Sequence, residues 1–191
     1  SLYNYNHDSS LGEEYDNIDF RNFLQNIEKE SINLIITDPP WNDGNAYFER
    51  AQLYHPWISY DLKVDQDRLS NEMIVTDSPS RPEKQDKEQW WSDVADLFQN
   101  SYKVLKVHSY LVLYFRPVPA SDWITNFNRL KLLARQNGFE PLLVCDLSNR
   151  DPSMRIQQSA HYAFSSDLIL TFLKLKSEER RIYFDDHDID E

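Results

Sequence analysis

Glycine is almost missing from this chain: 191 residues contain three, Gly12, Gly44 and Gly138, all far apart. A glycine-rich turn, in which absent side chains let the backbone close on a ligand, cannot be drawn from them. Cysteine is scarcer still. Cys145 is alone, which excludes an intrachain disulfide and a cysteine-based metal cluster, and its place in Leu142-Leu143-Val144-Cys145 reads as a small core residue. No apolar run approaches the roughly 20 residues that cross a bilayer, and the first residues show neither a basic region nor a signal-peptide core. A soluble, cytoplasmic protein is expected. Positive charge is also short: 20 Lys and Arg face 32 Asp and Glu, a formal net charge of −12. Part of the excess is local, because five of the last seven residues are acidic (Asp185, Asp186, Asp188, Asp190 and Glu191). Nucleic-acid binding draws on cations that displace counterions from phosphate. A surface that grips nucleic acid is therefore expected elsewhere in a larger polypeptide, or on a partner.

The chain nevertheless has the means to fold. Its apolar fraction is 40% and its aromatic fraction 14%, with five Trp, enough for one domain with a sizeable core. Residues 1–16 are polar and without period, a flexible lead-in. Over 17–30, Phe20, Phe23, Leu24 and Ile27 keep the spacing of an amphipathic helix. The apolar run 32–37 reads as a strand. Residues 42–88 are aromatic but aperiodic, too long for an idle connection. Helical spacing returns over 87–106, with Trp91, Val94, Ala95, Phe98, Tyr102 and Leu105 on one face. A buried strand is expected at 110–115, then a helix opened by Ser121 as its cap and stopped at Gly138, and further strands at 141–147 and 167–175. Residues 17–175 would form the domain, and 176–191 an acidic tail or linker. Alternating strands and helices imply an α/β fold with a parallel sheet, and two closing strands with no helix between them imply an antiparallel pair at one edge.

One tetrapeptide carries chemistry. Asp38-Pro39-Pro40-Trp41 follows directly on the strand 32–37. A carboxylate at a strand end can accept one N–H of an amine. The carbonyl of Pro39 or Pro40 can accept the other, and the prolines hold the turn stiff so that both acceptors converge. Trp41 offers a flat apolar face on which an extruded base could stack. The alternative is structural: a strand, a rigid turn and a Trp that caps the core.

The tetrapeptide resembles the catalytic motif of amino-group methyltransferases, which move a methyl group from S-adenosylmethionine to the exocyclic nitrogen of adenine or, less often, cytosine. The resemblance covers roughly residues 17–175 and implies the second half of a Rossmann-like methyltransferase sheet. In that family the motif follows the fourth strand, strands five, six and seven come after it, and the seventh is inserted antiparallel. The function implied is the catalytic half of an adenine N6-specific DNA methyltransferase. Asp38, Pro39, Pro40 and Trp41 would be its catalytic residues, with the amino group of a flipped-out base held by Asp38 and the backbone at Pro39 while Trp41 stacks, and Asp38 and Pro39 would touch the cofactor. The family's glycine turn, Phe-x-Gly-x-Gly, has no counterpart here. The cofactor-binding half is thus expected in the remainder of a larger methylase, and this segment alone is expected to be inactive. RNA adenine would be served by the same tetrapeptide, whereas enzymes acting on cytosine N4 usually carry Ser in place of the Asp. A catalytically silent methyltransferase-like interaction module is the reading from another class.

Other candidates are weaker. The stretch Asn71-Glu72-Met73-Ile74-Val75-Thr76-Asp77-Ser78-Pro79-Ser80-Arg81, ahead of Trp90-Trp91, is similar to the segment after the motif in large bacterial adenine methylases, of the kind that serve restriction-modification, or is an extended loop with a Ser-Pro turn. Tyr47, Phe48, Tyr54, Trp57 and Tyr60 could line a base pocket but more often such residues pack a loop onto the body. Arg116 would emerge beside the motif, where a surface ion pair is its expected role. His161 is expected to be structural.

Overall fold

A computed structural model describes residues 19–41, 70–76, 79, 81, 85–115, 122–146 and 168–180. In chain order these residues form α1 (Phe20–Gln25), β1 (Ile32–Thr37), α2 (Lys87–Val104), β2 (Leu105–Phe115), α3 (Trp123–Gln136), β3 (Phe139–Asp146) and β4 (Leu168–Lys174). The strands make one mixed sheet in the order β1-β2-β4-β3. β1 and β2 run parallel, β4 is antiparallel to β2, and β3 is antiparallel to β4. The last strand is thus inserted between its two predecessors. This is the order that the resemblance implies for strands four, five, seven and six, and the edge strand β3 pairs antiparallel with its only described neighbour, β4.

Local chemistry explains the helices. The Asp19 side chain accepts the Arg21 N–H and starts α1; Asp86 accepts the Gln89 N–H at 2.8 Å and starts α2. Gly138 closes α3 with a left-handed φ of 87°, and its N–H reaches back to the Arg135 carbonyl. A Cβ there would fall 1.8 Å from an Arg180 guanidinium nitrogen, so the space beside Gly138 is filled by Arg180.

The core lies on one side of the sheet. Trp90, Trp91, Val94, Leu97 and Phe98 of α2 and Leu130 and Ala134 of α3 meet Leu111, Leu113 and Phe115 of β2 and Leu168, Leu170 and Phe172 of β4. Phe98 packs edge-on against Phe172, with ring centres 5.3 Å apart.

Five expectations need correction. α1 covers only part of 17–30, and Phe23 is exposed. The N-cap of α3 is Asp122; Ser121 lies outside the described residues. β2 begins at Leu105, not 110, because its pairing with β1 passes through an irregularity between Ile32 and Leu34, and His108 there takes a φ of 60°. A periodic pattern is invisible through such a shift. Cys145 is exposed, since β3 is an edge strand whose residues Leu142, Leu143 and Val144 are also half bare. Residues 176–180, assigned to the tail, are held on the body: Arg180 donates to the Asn137 carbonyl at 2.9 Å and lies over the Tyr102 ring.

Candidate active site

The site is built outward from the carboxyl end of β1. Thr37 pairs with Leu113, so Asp38 leaves the sheet beside the last residues of β2, and it is exposed. In open parallel sheets this is the end at which ligands bind. Pro39 is buried and Pro40 half-buried. Neither proline has an N–H, so the turn cannot tie itself down through its own amides there. An outside donor does it: the Trp90 indole N–H, from the first turn of α2, donates to the Pro40 carbonyl at 2.9 Å.

Trp41 turns inward. It is 5% exposed, with its ring edge-on to Phe115 at 4.7 Å and tilted against Trp90 at 5.7 Å. This is the core-capping arrangement, not an open stacking face. The four motif residues are therefore divided: Asp38 faces solvent and Trp41 anchors the turn in the core.

The start of α2 is held from several directions. Arg129 of α3 ion-pairs with Glu88 at 2.5 Å and lies over the Trp91 ring at 4.7 Å. The paired guanidinium holds the Glu88 carboxyl below its usual range. Arg21 of α1 donates to Asp93 at 2.6 Å and to the Asn71 carbonyl at 3.3 Å, joining α1, α2 and the segment that precedes α2. Burial pushes the Asp93 carboxyl up in spite of Arg21, whose charge and hydrogen bond pull it down less than desolvation raises it.

The 71–81 segment is partly described. Met73 and Ile74 are buried, Thr76 bridges Gln85, and Arg81, also buried, pairs with Glu72 and donates to the Gln85 side chain. Gln85 in turn donates to the Ser70 and Glu72 carbonyls. Nothing in spacing alone marks Arg81 and Gln85, two polar residues, as a buried brace. Trp90 likewise reads in the sequence only as part of a helix. Tyr47, Phe48, Tyr54, Trp57, Tyr60, Arg116 and His161 lie outside the described residues. Among the described residues no group of three or more His, Cys, Asp and Glu could hold a metal, and no helix is long and apolar enough to cross a membrane.

No protein-family model matches the sequence, and no curated protein does. Solved structures do resemble it. TTHA0409 of Thermus thermophilus, a candidate DNA modification methylase, shares 15% identity over 85% of this chain and 56% of its own, with a TM-score of 0.48. The same protein in complex with S-adenosyl-L-methionine is similar at 15% identity, over 85% of this chain and 58% of its own, with a TM-score of 0.47. The complex of M1.HpyAVI with its bound SAM aligns at 12% identity over 81% of this chain and 48% of its own, with a TM-score of 0.39. The chain spans little more than half the length of the TTHA0409 structures it matches.

Proposed function

We propose that this chain is the catalytic half of an adenine N6-specific DNA methyltransferase. The observation that carries the reading is the placement of Asp38: an exposed carboxylate at the carboxyl end of a parallel strand, followed by a proline turn that is fixed from behind by Trp90. An exocyclic amine is a weak nucleophile because its lone pair is delocalised into the ring. Asp38 would accept one of its N–H groups and a turn carbonyl the other, which holds the nitrogen close and favours its pyramidal form. The target adenine would be extruded from the duplex to reach these acceptors. Trp41 contributes by anchoring the turn.

S-adenosylmethionine, which accompanies the similar solved proteins, would supply the methyl group. The described residues offer its methionine moiety no cradle. Gly138 sits before β3, at the opposite end of the sheet from Asp38, and Arg180 occupies the space beside it. The cofactor's main site, and a cationic surface for DNA to offset this chain's net charge of −12, would belong to the remainder of a larger methylase. Taken alone, that missing cradle also favours a catalytically silent module.

The two readings part on measurement. In the methylase containing this segment, Asp38→Ala should lower turnover by about 10²–10³-fold, the scale of losing one preorganised transition-state contact, with folding intact because Asp38 is exposed. Near-normal turnover in the folded variant sinks the catalytic assignment. The 191-residue chain alone should bind S-adenosylmethionine weakly or not at all by calorimetry. Micromolar binding would show that the cofactor site lies within this chain.

A further inference from the structure

We propose that Trp90 is a positioning residue for the turn of the amine-holding site. The proposal rests on the reading of Asp38 as the first acceptor. The Trp90 indole N–H donates to the Pro40 carbonyl at 2.9 Å while Trp90 itself is 2% exposed. Its ring stands edge-on to Trp91 at 4.8 Å and tilted against Trp41 at 5.7 Å, so the indole cannot swing away without breaking the core. The helix turn that carries it is fixed as well, by the Asp86 cap, by the Trp90 amide donating to the Asp86 carbonyl at 3.1 Å, and by the Arg129–Glu88 pair.

The need for such a donor follows from the two prolines. A turn of ordinary residues can be fixed by its own amides. Pro39 and Pro40 have none, and a buried carbonyl without a partner is costly. Trp90 satisfies the Pro40 carbonyl and aims it into the core. The acceptor that the resemblance implies beside Asp38 is the neighbouring carbonyl, that of Pro39, and its place in the turn depends on this anchor. A long-range contact, 50 residues apart in sequence, thus sets the geometry of the acceptor pair.

Trp90→Phe keeps an aromatic ring but removes the donor together with part of the buried bulk, so its turnover is read at temperatures where the variant is folded. In the methylase containing this segment, the variant should lose about 10- to 100-fold in kcat, the consequence of a loosened acceptor pair. KM for DNA and the affinity for S-adenosylmethionine should stay unchanged, because no binding group is lost. Leu97→Ala, a cut in the same helix away from the turn, should lower thermal stability more and leave kcat intact at temperatures where the protein is folded. Normal kcat in Trp90→Phe with an inactive Asp38→Ala overturns the positioning role and leaves Asp38 standing. Normal kcat in both overturns both. A readout independent of turnover exists in the 191-residue chain. By ¹⁵N NMR the Trp90 indole N–H should exchange slowly with solvent, and exchange as fast as that of an exposed indole would overturn the hydrogen bond on which the proposal stands.

Discussion

Among the described residues the two faces of the sheet differ sharply in exposure. Along β2, Leu111, Leu113 and Phe115 are at most 2% exposed, whereas Tyr110 and Tyr114, which point the other way, are 41% and 38% exposed. The same split runs across the register. Ile35 packs against the core beside Leu111, while Leu34 and Ile36, beside Tyr110 and Val112, are 50% and 62% exposed. Strands in a parallel arrangement are ordinarily covered on both faces, and their sequences read as continuous apolar runs for that reason. Here the run is present and, among the described residues, no element covers the second face. Among the described residues the sheet is therefore packed on one side only.

The largest effect should come from the covered side, at the motif itself. Trp41→Ala empties a core position between Phe115 and Trp90 and should cost about 3–5 kcal/mol of stability. Calorimetric melting should show it, and any loss of methyl transfer should track the loss of folded protein. An unchanged melting temperature with abolished transfer would instead return Trp41 to the stacking role.

A smaller effect is expected where α1 meets α2. Arg21→Ala would leave Asp93, whose side chain is 8% exposed, without its cation, and the cost should approach the roughly 3 kcal/mol of a broken buried pair. The pH dependence has a definite sign. The folded-state value of Asp93 lies above its ordinary 3.8, so the native state holds the proton more tightly than the unfolded chain does. The contribution of Asp93 to stability therefore declines as pH rises through the window between those two values. Removing Arg21 should widen that window upward, so the variant should regain part of its lost stability on mild acidification. A deficit that stays constant with pH would show that Asp93 is not the group responsible.

Much of this architecture was legible because it is periodic. The strand 32–37, the helix from 87 and the order of elements follow from apolar spacing and the stop at Gly138. What escaped has a common cause. The early start of β2 is hidden by the irregular pairing around His108, and the exposure of Cys145 depends on β3 being an edge strand, which composition does not announce. At the site, a carboxylate at a strand end followed by a proline turn was legible in the sequence. The Trp90 bond to Pro40 was not, because a hydrogen bond across 50 residues leaves no local trace. Trp41 shows the limit of motif reading: a motif reports which residue occurs, and its burial is decided by Phe115 and Trp90.

The smallest effect is the sharpest test of the contrast between faces. Ile36→Thr keeps the β-branched shape that suits a strand and replaces a methyl-bearing arm by a hydroxyl. Ile36 is 62% exposed, so little apolar area returns to water and the hydroxyl meets solvent; the change should fall within about 0.5 kcal/mol. Leu111→Ala, one strand away on the covered face, removes a fully buried side chain and should cost about 2–5 kcal/mol. The two variants sit in neighbouring strands, Leu111 opposite Ile35 and Val112 opposite Ile36, so differences in backbone context are small. Urea unfolding of both, side by side, measures the asymmetry directly. If Ile36→Thr destabilises the chain as much as Leu111→Ala does, the second face is covered within this chain.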